Sequence, residues 1–412
     1  MKQVIKYFIT FIFVTVNCQL FDQQNQIIIG PNNYFIGINL NITLYPENTS
    51  FNIDNEFDSI MTHIIMQRAI DQIGLNGGGT LHILPSTYTI QKNLVINWNG
   101  IHLKGSGIDQ TIIKLEDFSS ALFQNITKSG LIRAQNISNM IMSDLTLNGN
   151  RQNQYYNIKY LYARYGIYTE ACTNLWFDQI KIMNFQDYGF NPKGSKSNSN
   201  WANYLTITNS ISTNNGWDGF AIDQTNNVII SDCIAENNGR HGFNIMSGSK
   251  TVILMNNIAN NNGFADKTFN NANGCGFTIQ NNFLLGTGDV ILDGNNAKDN
   301  LKTGICLSDV YNIKIINNNI EGTCTCLVSN NKTCTCLNFI NEYSVIVKNN
   351  TCSTYKFSNS LNFYNISDIE DYINDNIFNK IPYCDDQKSF NLSIFSYINY
   401  LLILFLSLIF LL

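Results

Sequence analysis

Tyr188, Lys193, Asp218, Asp223, Arg240 and His241 bring a phenol, an amine, two carboxylates, a guanidinium and an imidazole to three short segments, each built around a glycine. Such a set can hold an anion and move a proton, the two tasks of an acid/base site. The glycines belong to a longer series in which a residue is followed by Gly and a large apolar residue: Tyr165-Gly166-Ile167, Tyr188-Gly189-Phe190, Asp218-Gly219-Phe220, His241-Gly242-Phe243, Cys275-Gly276-Phe277 and Thr303-Gly304-Ile305. They fall 23, 30, 23, 34 and 28 residues apart, the range of a solenoid whose units bury their apolar faces on one another. With each glycine at the same place on successive coils, the residue before it forms a column with rungs roughly 4.8 Å apart. Tyr188, Asp218 and His241 then occupy successive rungs. A second column, three residues past each apolar anchor, holds Lys193, Asp223, Met246 and Gln280, and Arg240 adjoins His241.

The elements that must position these residues are short strands and tight turns. Each unit has an alternating run such as Asn227-Val228-Ile229-Ile230 and ends in a turn such as Asn237-Asn238-Gly239, so strand pattern and turn chemistry agree on an all-β fold of stacked parallel coils. Upstream, the apolar spacing of Ile60, Ile64, Ile65, Ala69, Ile70 and Ile73 predicts a helix over 58–75. That helix would cap the open end of the stack. Gly77-Gly78-Gly79 precedes a strand and lacks the Gly-Lys-Ser/Thr ending of a phosphate loop, so it reads as a turn. His82 and His102 alternate with apolar neighbours and read as structural, and Cys233 and Cys275 read as buried apolar fillers. The abundance of Asn is set aside, because a coding sequence rich in A and T produces the same bias.

The chain has 412 residues, of which 44% are apolar and 13% charged, which suits a large folded core and argues against extended disorder. A net charge of −5 excludes a protein that attracts polyanions over its whole surface, and no nucleic-acid partner is expected. An acidic polymer would need a local patch: Lys159, Arg164, Lys181, Lys193, Lys196 and Arg240 lie in the central coils, with Tyr155, Tyr156, Tyr160, Tyr162, Trp201 and Trp217 to stack on sugar rings. Residues 1–18 read as a secretory signal peptide, 19–58 as an N-terminal extension, 59–350 as the coil domain and 351–390 as a stalk. The apolar stretch 391–412 reads as a glycolipid-anchor signal or a transmembrane helix. The expected location is therefore the outer face of a cell surface, reached through the secretory pathway, with the membrane as a partner through that tail and the chain a monomer. Of eleven cysteines, ten remain after removal of the leader, and disulfides are expected in an oxidising compartment. Cys324 and Cys326 with Cys334 and Cys336 read as a stapled hairpin, a soft-metal site being the alternative. Eight glycosylation sequons begin at Asn41, Asn48, Asn125, Asn136, Asn331, Asn349, Asn365 and Asn391, none of them between Tyr165 and Thr303.

The segments Asp187-Tyr188-Gly189-Phe190-Asn191-Pro192-Lys193-Gly194, Asn215 to Asp223 and Arg240-His241-Gly242-Phe243-Asn244, with Gly77-Gly78-Gly79-Thr80 and Asp144 to Arg151, resemble the mannuronan C-5-epimerases of the right-handed parallel β-helix, pectate-lyase-like superfamily. The resemblance runs roughly from Ile60 to Asn319. It implies a right-handed parallel β-helix that acts on a uronate polysaccharide, with Tyr188 and the position of Lys193 as acid and base, His241 beside them, and Asn191, Arg240, Asp223, Asp218 and Lys159 in substrate binding. Calcium is implied as a cofactor, although no calcium-loop repeat is visible in the sequence. Where the family reads Tyr-Gly-Phe-Asp-Pro-His-Glu, this chain has Asn191 for Asp, Lys193 for His and Gly194 for Glu. Those departures keep two rivals open: a lyase on the same site, and a glycan-binding or coat protein without catalysis. Each residue also has a plainer role: Lys193 and Asp223 as an ion pair, Tyr188 as a surface aromatic, His241 as a ladder residue, Asp218 as a turn residue and Arg240 as a polyanion contact.

Overall fold

The recurring glycine is required by a close approach between coils, not by an unusual backbone angle. A Cβ on Gly189 would lie 2.7 Å from the carbonyl oxygen of Gly219, on Gly219 2.7 Å from that of Gly242, on Gly242 2.6 Å from that of Gly276, and on Gly276 2.8 Å from that of Gly304. Each of these glycines therefore makes room for the next coil, and the column is a line of contacts in which any side chain would collide with backbone. The computed structural model describes residues 24–27, 38–44, 55–119, 130–154, 164–195, 202–263, 274–281, 286–320, 335–340, 343–352, 355–357 and 377–378. By internal contacts the chain divides into two units, Met1–Asn379 and Lys380–Leu412, and every described residue lies in the first.

These residues form a right-handed parallel β-helix. Among them, ten strands make one sheet, which runs from Leu94–Ile96 through Gly130–Gln135, Tyr165–Glu170, Phe190–Lys193, Phe220–Asp223, Phe243–Met246, Cys275–Gln280 and Thr303–Ser308 to Thr335–Ile340 and Tyr355–Phe357. The remaining strands form a larger sheet of two ladders, parallel except where Gln24–Ile27 pairs antiparallel with Ile38–Leu44. The two ladders are joined because Ser138–Asn148 and Thr173–Met183 each run through both: Thr173 to Asp178 pair with 203–208, and Lys181 to Met183 pair with Ile211 to Thr213. The extra residues of the 30-, 34- and 28-residue repeats coincide with 196–201, 264–273 and 282–285, which lie outside the described residues. Strands also occur at Gln24–Ile27, Ile38–Leu44, Tyr355–Phe357 and Ile377–Phe378, within the segments read as extension and stalk.

Inside the helix, like stacks on like. Phe190, Phe220, Phe243 and Phe277 are fully buried, with ring centroids 4.7, 4.7 and 4.9 Å apart, and each stacked pair adds about 0.5–1.5 kcal/mol beyond the area it buries. Asn215, Asn238, Asn262 and Asn300 form a ladder in which each side-chain oxygen accepts both the amide of the preceding Asn and its backbone N–H. A second ladder runs through Asn257, Asn295, Asn318 and Asn350, and Cys233 stands at its head, donating its backbone N–H to Asn257. Asn and Asp also supply most of the non-glycine residues at positive φ, among them Asn184, Asn214 and Asn237, because their short polar side chains tolerate the left-handed region. Asparagine thus has structural work in this fold, which composition alone gave little weight.

Helix α1 (Asn55–Leu75) starts three residues before the expected Asp58 and buries Ile65, Met66, Ala69, Ile70 and Ile73. It caps the first strand of the ten-strand sheet directly. Gln67 donates its amide to the Val95 carbonyl at 2.8 Å and accepts the Val95 N–H at 2.8 Å, standing in for a neighbouring strand. Gly77 and Gly78 turn at φ 89° and 109° into the strand Gly79–Ile83. The imidazole of His102 lies 3.1 Å from the Ser143 hydroxyl, and burial lowers its pKa to about 4. Cys233 is buried and free, whereas Cys275, expected as a filler, is bonded to Cys306. Residues 1–18 and 391–412, the cysteines at 324, 326 and 334, and Lys159 lie outside the described residues.

Candidate active site

Three rungs of the ten-strand sheet bring the candidate residues to its outer face. The strands alternate, so Phe190, Phe220 and Phe243 point inward while Asn191 and Lys193, Asp223, and Asn244 take the other face. The pairing puts Lys193 opposite Glu170 on one side and Asp223 on the other. Tyr188, Asp218 and His241 come just before the glycines, one coil above the next.

Asp218 is the centre of the arrangement. Its fully buried carboxylate takes a two-pronged hold from Arg240, with Nε at 2.6 Å and Nη2 on the second oxygen, and also accepts the His241 backbone N–H at 3.0 Å and the Asn244 amide at 2.8 Å. Burial pushes its pKa up, but Arg240, His241 and Asn244 outweigh burial and hold the carboxyl below its usual value. Arg240 in turn lies over Trp217, 4.6 Å from the ring centre, and 5.7 Å from the Tyr188 ring. Its side chain stays 23% exposed. Burial opposes the charge, and Asp218 restores it.

Tyr188 is half-buried, stacked on Tyr165 at 5.3 Å and met edge-on by Trp217 at 5.7 Å. Burial raises its pKa, Arg240 opposes the rise, and Asp218, Tyr165 and Asp187 add to it. The phenol is therefore neutral at pH 7 and carries a proton it can donate. His241 is buried, and its Nδ1 accepts the Cys275 backbone N–H at 3.1 Å, with the Thr278 hydroxyl at 3.0 Å from the same nitrogen. An Nδ1 that accepts leaves the ring proton on Nε2. Burial lowers the His241 pKa to about 3, Asp218 raising it and Arg240 and Lys302 lowering it further, so the ring is a neutral donor.

Lys193 Nζ lies 3.2 Å from Asp223 Oδ2, with both side chains nearly buried. The ion pair foreseen for these two residues is present, and the other Asp223 oxygen is buried without a hydrogen-bond partner. Asn191 is buried and donates its amide to the Ala221 carbonyl at 3.0 Å, so that proton is engaged by the next coil. The structure thus gathers Tyr188, Asp218, Arg240 and His241 into one contact network, and joins Lys193 to Asp223 along the neighbouring column.

Asp187 was missed by sequence reasoning. It is buried, its Oδ2 is 2.8 Å from Arg164 Nε, and burial, opposed by Arg164 and Arg240 and aided by Asp218, raises its pKa to about 6. The signal was available: Arg164 and Asp187 are 23 residues apart, as are Gly166 and Gly189, so both sit two places before a glycine. Tyr165 was likewise missed as the stacking partner of Tyr188. As for a metal, no group of three or more His, Cys, Asp or Glu side chains gathers among the described residues, and no step below runs through the implied calcium.

With the geometry in view, the comparisons with known proteins are specific. Mannuronan C5-epimerase AlgE1 of Azotobacter vinelandii is 32% identical over 259 residues, 59% of this chain. This chain is a relative of the mannuronan C5-epimerases. Alginate lyase 7 of the same organism is 28% identical over 196 residues, 46% of this chain. Among solved structures, the A-module of mannuronan C-5 epimerase AlgE4 from Azotobacter vinelandii superposes with a TM-score of 0.58 at 25% identity, covering 71% of this chain and 73% of the module. The chain spans only 17% of AlgE1 and 22% of alginate lyase 7. No family profile matches it.

Proposed function

We propose that this chain is an enzyme of uronate-containing polysaccharides that epimerises the sugar at C5. The observation that carries the reading is the Arg240 guanidinium, gripped by Asp218 and held over Trp217 on a side chain 23% exposed, beside the neutral phenol of Tyr188. That is a carboxylate holder next to a proton donor. Removing the C5 proton of a uronate leaves an electron pair that spreads into the carboxylate, so the reaction needs donors there, a base on one face and an acid on the other. Arg240 and the Nε2–H of His241 supply the donors. Lys193, held by Asp223 at 3.2 Å, takes the C5 proton once it has released its own to water, and Tyr188 returns a proton to the opposite face. Exchange of both groups with water restores the starting state. Asp223 anchors the base and Asn191 fixes its strand, while Lys159 is assigned to the substrate on the resemblance alone.

The similarity to alginate lyase 7 favours a second reading, in which the same carbanion expels the C4 substituent. We further propose that the protein works in an oxidising compartment, tethered at a cell surface by 391–412 and acting on an acidic polysaccharide as a monomer. The Cys275–Cys306 disulfide supports the compartment. Incubation with polymannuronate in deuterated water, followed by proton NMR, tests the chemistry. Deuterium at C5 with guluronate signals supports the epimerase and unsaturated ends the lyase. Binding without exchange would leave a glycan-binding protein.

A further inference from the structure

His241 is held from the coil that follows it, and that coil is covalently fixed. Along the column before the glycines, each backbone N–H answers the side chain one coil earlier: His241 N–H goes to Asp218, and Cys275 N–H goes to His241 Nδ1. The second group on that nitrogen, the Thr278 hydroxyl, belongs to the same strand, Cys275–Gln280. Cys275 is the first residue of this strand and ends the longest of the repeats, the 34 residues from Gly242 to Gly276. Its sulfur is bonded to Cys306, and Cys306 is itself the register partner of Thr278. The disulfide therefore brackets both groups that touch the imidazole, and Cys275 and Cys306 are 1% and 6% exposed.

We propose that the Cys275–Cys306 disulfide is a positioning element of the site, which pins the strand after His241 so that the Cys275 N–H and Thr278 hydroxyl stay on Nδ1 and the ring proton stays on Nε2. The relay continues through the His241 N–H to Asp218 and so to Arg240. Two sulfurs outside the reacting groups thus set which nitrogen of His241 donates. Cys172 and Cys233, also buried, are free and have no such link.

Nitrogen-15 NMR of the imidazoles in the whole protein tests this without any substrate, so its result is separate from that of the epimerase reading. The chain has four histidines, and His241→Gln identifies the relevant signal. In the wild type the signal should be that of a neutral ring protonated at Nε2, unchanged between pH 5 and 8. In Cys306→Ala, checked for cooperative unfolding, it should become an average of tautomers and titrate within that range. Cys306→Val, which refills the sulfur's volume, provides the same reading where the alanine variant does not fold. A folded variant with an unaltered His241 signal overturns the proposal. So does loss of folding in both, which would make the bond a staple of the coil stack and nothing more.

Discussion

At the scale of single residues, the protonation states follow from neighbours. Tyr188 is pushed toward its neutral form by burial and by the Asp218, Tyr165 and Asp187 side chains, against the pull of Arg240. It can therefore be an acid before it is ever a base, and its proton is the one the reaction would consume. Tyr188→Phe keeps the ring on Tyr165 and Trp217 and removes only the hydroxyl. Turnover should fall by about 10²–10⁴-fold with polymer binding retained. Steady-state rates and a binding titration would check both, and turnover near the wild-type value would remove Tyr188 from the mechanism. Arg240 makes a different prediction. Arg240→Lys keeps the charge but loses the planar fork on Asp218 and the guanidinium contact with Trp217, so KM should rise about tenfold while Tyr188 still donates. An unchanged KM would mean that the guanidinium does not hold the substrate.

At the scale of elements, the coil is specified by what fails to fit. Gly219→Ala places a methyl 2.7 Å from the Gly242 carbonyl and against the Asn238 amide at 2.9 Å. Both neighbours are held in ladders and cannot withdraw, so destabilisation of about 1–3 kcal/mol is expected, measured by urea unfolding. An Asn262→Leu change should cost about as much per orphaned bond, about 1–3 kcal/mol, because it strands the Asn238 N–H and amide. A variant as stable as the wild type would show that the ladder is not a source of stability. The glycine and phenylalanine columns were legible because the same pair, glycine and then a large apolar residue, recurs through intervals of unequal length, and the site columns came with them. The asparagine ladders were not, since their intervals of 23, 24 and 38 residues in one and 38, 23 and 32 in the other were masked by a general excess of Asn. Asp187 escaped for a related reason. Its rung holds Trp217 and Arg240 on later coils, and nothing in residue type alone says that the carboxylate among them turns inward to Arg164. Cys275 was read by composition as a filler because its partner Cys306 lies 31 residues away and in a different column.

For the whole molecule, Asp187 and His241 make stability depend on pH in opposite senses. Asp187 is raised from 3.8 to about 6 in the folded chain, so the native state holds this proton more tightly than the unfolded one. Its favourable contribution is complete below pH 3.8 and is lost as the pH rises through 6. His241 is lowered from 6.5 to about 3, so the unfolded state takes up this proton more readily. Its contribution is complete above pH 6.5 and is lost as the pH falls toward 3. Between pH 4 and 6 the two oppose each other, and single variants separate them. Asp187→Asn should gain on the wild type as the pH rises across that window, by a swing of about 3 kcal/mol, and then run parallel to it above pH 7. His241→Gln should do the reverse, losing ground to the wild type as the pH rises from 3 to 6.5. Urea unfolding at half-unit intervals of pH measures both. Asp187→Asn running parallel to the wild type throughout would mean that Arg164 fully offsets the burial of that carboxylate. At pH 7 both groups have passed their transitions, Asp187 ionised and His241 neutral, and these are the states in which Arg164 is paired and the His241 Nε2–H is free to donate.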